Sequence, residues 1–425
     1  MSDTPRPRRE DPPETAALPL EAVQAPPIPP AERRRAQILT AAFYAAVFTA
    51  VGAHLPFWPV WLAAWGLDEA TIGYYLGAGL MVRIVANAAF AAIADRFAVR
   101  RLMLALMGFA AALVFLAHLV VESHVMLLVL TLLCTATLSP MMPLGEALGL
   151  RAARMHGFLY PTVRAAGSVA FLLANLAVGW AIGQTGPDAA LWTLVGACLV
   201  AALLGLAHPG GGAPAGAAGS DTARLREGLA LFQQRHLAVF ALAAAAAQAA
   251  HASFYLLGSL EFTRMGLSPG IIGALWATGV IAETLLMLGP GRDWVTRLGP
   301  AQALALGAAV GIVRWGAMAL YPPAWSLWLL QALHAFTFAL VHLATMAFVA
   351  RHLELRLQAS GQGVLLGLSA GIAMAVATLA AGWLHELMPA AAWLMAAGLS
   401  AVAVVAAWLV ARPDRPGRAC ATDQA

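Results

Sequence analysis

Glu283 is the only charged residue in the apolar run from Pro269 to Leu288. A carboxyl group surrounded by hydrocarbon favours its neutral form, whereas a nearby arginine would hold it charged, so this side chain is suited to taking up and releasing a proton. Polar residues recur at helical spacing inside other apolar runs. Gln248, His251 and Tyr255 fall at i, i+3 and i+7, and His334, Thr337, His342 and Thr345 form a second stripe; residues so spaced share one helix face. Such faces suit a wet cavity, and imidazole exchanges a proton near neutral pH. Arg83 and Asn87 lie one turn apart on another run. An arginine that deep in lipid costs about 2.5–3.5 kcal/mol on insertion scales, so it is expected to face the cavity and give an anionic solute charge-assisted hydrogen bonds. His54 stands beside Pro56 and Pro59, which bend a helix, and is expected to shape the same cavity. Glu146 and Arg164 join Glu283 and His334 as candidates for proton coupling. Arg314 reads equally well as an internal tie or as a snorkelling side chain.

These residues need membrane helices to hold them. Of the 425 residues, 61% are hydrophobic and 11% charged, far from the roughly 25% charged residues of soluble domains. A spanning helix needs about 20 mostly apolar residues, and twelve such windows lie between residues 38 and 411. The expected fold is therefore an all-α membrane protein with twelve transmembrane helices in two six-helix halves. Residues 1–37 form a cytoplasmic tail too polar and proline-rich to bury anything, expected to be disordered. Residues 38–207 form the first half, and 208–235 a cytoplasmic linker that is almost entirely Gly, Ala and Pro between Pro209 and Ser220. The second half is 236–411, followed by a cytoplasmic tail at 412–425. Arginines at 33–35, 96, 100, 101, 151, 154, 224, 226, 235, 292, 297, 351, 356, 412, 415 and 418 fall in alternate loops or termini, while the opposite loops carry Asp68, Glu69, Glu122, Asp188, Glu261 and Glu386 beside the single Arg264. The positive-inside rule then puts both termini in the cytoplasm.

Several function classes are excluded or disfavoured. The chain contains no lysine, so it has no Walker-A phosphate loop and any energy must come from a gradient. The net charge of +4 follows from topology and calls for no nucleic acid. Cys134, Cys198 and Cys420 show neither disulfide nor metal spacing, and the histidines form no metal-binding motif, so no cofactor, no metal and no enzyme activity are expected. A non-transporting membrane sensor of the same architecture is the reading from another class.

The chain also repeats itself. Gly66-Leu67 with Ile72-Gly73 returns as Gly266-Leu267 with Ile272-Gly273; on that register Arg83 falls on Glu283 and Arg151 on Arg351, and Gly179-Trp180 is echoed by Gly382-Trp383. A repeat this long is half a molecule, and related halves with a site between them characterise many secondary transporters.

Asp95-Arg96 with Arg100-Arg101 resembles the loop Gly-x-x-x-Asp-Arg-x-Gly-Arg-Arg of the major facilitator superfamily, with Ala91 and Ala98 in place of the glycines. More specifically, Pro56 to Gly66, Val82-Arg83, Ala86-Asn87, Pro143 to Leu148 with Arg151, Tyr160, Val163-Arg164, Gly167-Ser168, Ala174-Asn175, Gly279 to Glu283, Arg314-Trp315 and His334 resemble the phenylpropionate permease group within it. Where that group tends to have Arg-x-Trp-Gly-Ser, this chain has Ala166 in place of the tryptophan. The resemblance implies the major facilitator fold in a bacterial-type inner membrane, a monomer, and spans five and eight as neighbours, which would make Arg164 a partner for Glu283. It implies Asp95, Arg96, Arg100 and Arg101 as a conformational loop. The function implied is proton symport of a small organic solute such as an aromatic monocarboxylate; nucleoside, sugar or drug transport are the alternatives.

Overall fold

The computed structural model describes residues 28–211 and 227–411. The expected tail at 412–425, most of the tail at 1–37 and most of the linker at 208–235 lie outside the described residues. Among those described, twelve helices are long and apolar enough to cross a membrane: α1 (Pro30–Ala64), α2 (Glu69–Arg96), α3 (Arg100–Val120), α4 (His124–His156), α5 (Tyr160–Thr185), α6 (Asp188–Leu206), α7 (Arg235–Arg264), α8 (Pro269–Leu288), α9 (Pro300–Ala319), α10 (Ala324–His352), α11 (Ser360–Leu387) and α12 (Pro389–Ala411). α1 starts at Pro30, so Arg33, Arg34 and Arg35 belong to a helix and not to the expected tail. Proline at the first helical position and Glu32 in the first turn both favour a helix start there. Residues 227–231 are helical as well, within the expected linker.

The repeat is visible as matched turns. The turn after α1 holds Gly66 (φ 111°) and the turn after α7 holds Gly266 (φ 79°). The Leu67 N–H donates to the Leu62 carbonyl at 3.2 Å and the Leu267 N–H to the Phe262 carbonyl at 3.0 Å, the six-to-one bond that satisfies a helix C-terminus when the following residue is left-handed. The next helix is then capped by a side chain in each half: Asp68 accepts from the Thr71 N–H at 2.7 Å and Ser268 from the Ile271 N–H at 3.5 Å.

Each half packs its own six helices, and the halves meet through α2 on α11, α5 on α8 and α1 on α7. At the end of the bundle away from the chain termini these contacts are backbone on backbone. A Cβ on Gly73 would sit 3.1 Å from the Gly382 Cα, and one on Gly273 would sit 2.1 Å from the Asn175 carbonyl oxygen; small residues permit such close helix approach. At the termini end, the α2–α3 loop belongs to the first half. Arg100 Nε donates to Asp95 Oδ1 at 2.5 Å, the Arg101 guanidinium donates to the Leu206 carbonyl at the end of α6, and Arg96 lies beside the Phe97 ring. Ala98 holds φ at 55° here.

Among the described residues two stretches widen to π-helix, both in the second half. α10 widens to a π-helix over Ala335–Leu340, starting directly after His334, and α11 does so over Gly367–Ala373. Such widened turns release carbonyls from the regular ladder and re-aim side chains, which is why they gather at functional sites.

Candidate functional site

Between the halves lies a cavity of about 160 Å³. The first half contributes Phe48, Val51 and Leu55 from α1 and Ser168 and Phe171 from α5; the second contributes Phe254, Tyr255, Trp276, Glu283, Gln331, His334 and Phe338 from α7, α8 and α10. The wall is therefore rich in aromatic rings, and apart from Ser168 its polar groups are gathered on the second half.

Those polar groups are organised by Arg314. Its side chain is 1% exposed, stacked over the Trp315 ring at 4.3 Å and near Phe254 at 5.2 Å. The guanidinium donates to Gln331 Oε1 at 3.0 Å and Thr337 Oγ1 at 2.9 Å, and lies 3.1 Å from His334 Nδ1. Because a guanidinium only donates, His334 Nδ1 must accept, and the ring's proton sits on Nε2. That Nε2 faces Glu283 Oε2 at 3.4 Å. The same bookkeeping of donors settles His251: its Nδ1–H donates to the Ala247 carbonyl at 3.1 Å, which leaves Nε2 to accept the Thr337 hydroxyl at 3.2 Å. A continuous polar chain thus runs from Glu283 through His334, Arg314 and Thr337 to His251. Among the described residues no carboxylate forms an ion pair with Arg314, so its positive charge is held by neutral acceptors and aromatic faces beside the cavity.

The other candidates separate into two groups. Tyr255, Glu283 and His334 line the cavity, while His251 and Thr337 stand behind it as supports. His342 stacks parallel to Phe338, with centroids 6.3 Å apart. Gln248 lies one turn before His251 and does not line the cavity. In the first half the expectations change more. Arg83 donates to the Ala370 carbonyl of the widened turn in α11 at 3.0 Å, so it ties the halves together and is not a cavity wall. Asn87 accepts from Ser139 at 2.9 Å, a bond inside the first half. His54 is stacked on Trp58 and edges onto Phe115, away from the cavity lining. The expected pairing of Arg164 with Glu283 is replaced by one within the first half: Arg164 Nε lies 3.7 Å from Glu146 Oε1, and its guanidinium covers the cavity-lining Phe48 ring at 4.1 Å. The cavity lies between α5 and α8, and His334 meets Glu283 first.

The family model described as MFS_1 like family matches residues 38–395. The chain belongs to the major facilitator superfamily. Along 353 residues it is 31% identical to the probable 3-phenylpropionic acid transporter of Escherichia coli (strain K12), covering 81% of this chain and 89% of that protein. It is 28% identical over 350 residues to the maltose permease of Geobacillus stearothermophilus, covering 81% and 86%. The solved structure of the nucleoside transporter NupG aligns with a TM-score of 0.76 at 17% identity, covering 88% of this chain and 98% of that one, which speaks for the fold alone. The molecule is a multi-pass integral membrane transporter of the major facilitator type.

Arg314, Gln331 and the aromatic wall are what sequence reasoning missed or left undecided. Gln331 sits one turn before His334 and extends the same stripe, a signal that spacing carried. Phe48, Phe171, Phe254 and Trp276 carried none, since spacing cannot tell an aromatic that faces a cavity from one that faces lipid.

Proposed function

We propose that this transporter couples proton movement to the uptake of a small organic solute by alternating access, with an aromatic monocarboxylate as the favoured class. The observation that carries the proposal is Glu283 in the wall of an aromatic cavity, facing His334 Nε2 while Arg314 holds the other ring nitrogen. A flat ring fits among Phe48, Phe171, Phe254, Tyr255 and Trp276. Its carboxylate is drawn to the buried Arg314 charge and to the Gln331 amide N–H groups, since Gln331 Oε1 is already engaged. Arg164, spread over Phe48, is the cation offered by the first half. The name of the Escherichia coli relative supports the same solute class.

In the cycle we infer, a protonated Glu283 removes a negative charge from beside the solute, and release of that proton after reorientation restores it. His334 keeps the carboxyl oriented in both states. Both termini face the cytoplasm of a bacterial inner membrane, in keeping with the arginine distribution.

Transport into proteoliposomes tests this. Aromatic carboxylates, nucleosides and sugars including maltose are added while external pH is followed. Alkalinisation with an aromatic carboxylate, abolished in Glu283→Gln, is the expected outcome; the variant should still exchange solute without net accumulation. Full gradient-driven accumulation by Glu283→Gln would remove the proton role, and alkalinisation by maltose alone would replace the solute class.

A further inference from the structure

At the end of the bundle away from the termini, the seal between the halves contains a side chain that nothing there satisfies. Asn175 lies on α5 in the stretch that packs against the start of α8. A Cβ on Gly273 would sit 2.1 Å from the Asn175 carbonyl oxygen, and one on Gly179, a turn further along α5, would sit 2.4 Å from the Pro269 carbonyl oxygen. Asn175 is 0% exposed, and among the described residues neither its Nδ2 nor its Oδ1 has a hydrogen-bond partner. An asparagine amide carries two N–H donors and a carbonyl acceptor, so all of its capacity goes unused. The residues flanking this contact are apolar: Val178 and Ile182 of α5 and Ile272 and Leu275 of α8 are buried in one cluster. Buried polar side chains on other helices that meet across the halves are engaged. Ser259 on α7 accepts from Trp276 Nε1 at 2.9 Å, and Thr378 on α11 donates to the Met374 carbonyl at 2.8 Å.

A buried amide without a partner has given up its bonds to water and gained none in return, which raises the free energy of the state that buries it. The state that relieves it can be read from the register of α5. Ser168, Phe171 and Asn175 fall at i, i+3 and i+7, so they share one face. The first two line the cavity. Parting α5 from α8 at this end therefore lengthens the cavity along that face and gives the Asn175 amide access to water.

We propose that Asn175 is a built-in destabiliser of this seal: its amide is unpaired while α5 and α8 are closed on each other and hydrated once they part. The glycines at 179 and 273 make the contact tight, and Asn175 offsets that tightness so that the end is not held shut. No charge and no solute enter this role, which sets it apart from that of Glu283. It requires only that this end opens and closes, the alternating access on which the proposed transport cycle also rests.

Spin-label distance measurements test this without solute or a proton gradient, so their result is independent of the role given to Glu283. Labels replace the exposed Trp192 on α6 and Leu320 after α9, one in each half at this end, in a full-length background with Cys134, Cys198 and Cys420 replaced. Asn175→Leu and Asn175→Asp keep the size of the side chain close to that of the parent while the cost of burying it falls in the first and rises in the second. At about pH 8, where a hydrated carboxyl group is ionised, the parent is expected to show both a shorter and a longer distance. Asn175→Leu suits its apolar surroundings and should fold, with the ratio of longer to shorter distances lowered by about five- to thirty-fold. Asn175→Asp should raise that ratio above the parent's. A Leu variant whose distances match the parent's or lengthen, or an Asp variant no more open than the parent, would each overturn the proposal.

Discussion

The two halves share turns and helix order but place their charges differently. In the first half Arg83, Asn87 and His54 are engaged by a backbone carbonyl, a serine and a tryptophan ring, and Arg164 has a nearby carboxylate at half-exposed Glu146. In the second half Arg314 is sealed from water without a carboxylate, and everything around it leads to Glu283 and the cavity. Arg83 and Glu283 occupy the same position of the repeat, yet one fastens the halves and the other faces the cavity. One half thus supplies a bond that ties the halves together, the other gathers its titratable side chains beside the cavity, and a duplicated scaffold lets each position differ.

The largest effect expected from this comparison is at Arg314. Arg314→Gln strips donors from Gln331, Thr337 and His334, and a buried acceptor left unpaired costs about 1–3 kcal/mol. Transport should be lost, and thermal unfolding in detergent should move several degrees lower. If Arg83→Gln is the more damaging of the two, the division between the halves is wrong.

His208 gives the first half a different sensitivity. It follows α6, is fully buried with its ring edge on Phe43, and accepts the Gly210 N–H at Nδ1. Burial, with Arg101 nearby, pushes its pKa down to about 4. An unfolded histidine titrates near 6.5, so as pH falls from about 6.5 to about 4 the unfolded chain binds a proton that the folded one refuses. Stability then declines by about 3 kcal/mol across that window and is unaffected above it. Unfolding midpoints of the parent against His208→Phe should converge at about pH 8 and separate in acid, with the variant the more stable; parallel curves would show that the site admits the proton after all.

How far the sequence carried depends on the kind of signal. Twelve spans and a two-fold repeat were legible because lipid demands long apolar runs and Gly66 and Gly266 punctuate them alike. Glu283, Tyr255 and His334 were legible because a polar residue in such a run needs a reason. Arg83 was misread for the same rule: a buried cation must find an acceptor, but the acceptor was the Ala370 carbonyl in the widened turn of α11, which no side-chain pattern announces. The Arg164 partner was misassigned because equal depth along two helices does not establish which residue reaches first, and His334 fills the space beside Glu283.

Arg83→Gln should have an intermediate effect. A hydrogen bond from a charged donor contributes about 1.5–3 kcal/mol, and here it joins α2 to α11, so its loss should lower the unfolding midpoint and alter the rate of transport while leaving solute affinity unchanged. A large fall in affinity for an anionic solute would return Arg83 to the cavity.

The smallest expected effect is a gain. Ala98 stands where the superfamily loop usually has glycine, and the backbone there is left-handed at φ 55°. The chain cannot relax this turn easily, because the Val99 N–H donates to the Ala94 carbonyl at 2.9 Å and the Asp95–Arg100 pair closes it from the other side. Placing a Cβ in that conformation costs roughly 1–2 kcal/mol, and glycine removes the cost while adding unfolded-state entropy that takes part of the gain back. Ala98→Gly should therefore raise the unfolding midpoint slightly, by about 1 kcal/mol at most. Because the loop belongs wholly to the first half, Glu283-dependent alkalinisation should be unchanged; a change there would mean that this turn communicates with the cavity, and that mechanical and chemical roles are less separated than the two sets of contacts indicate.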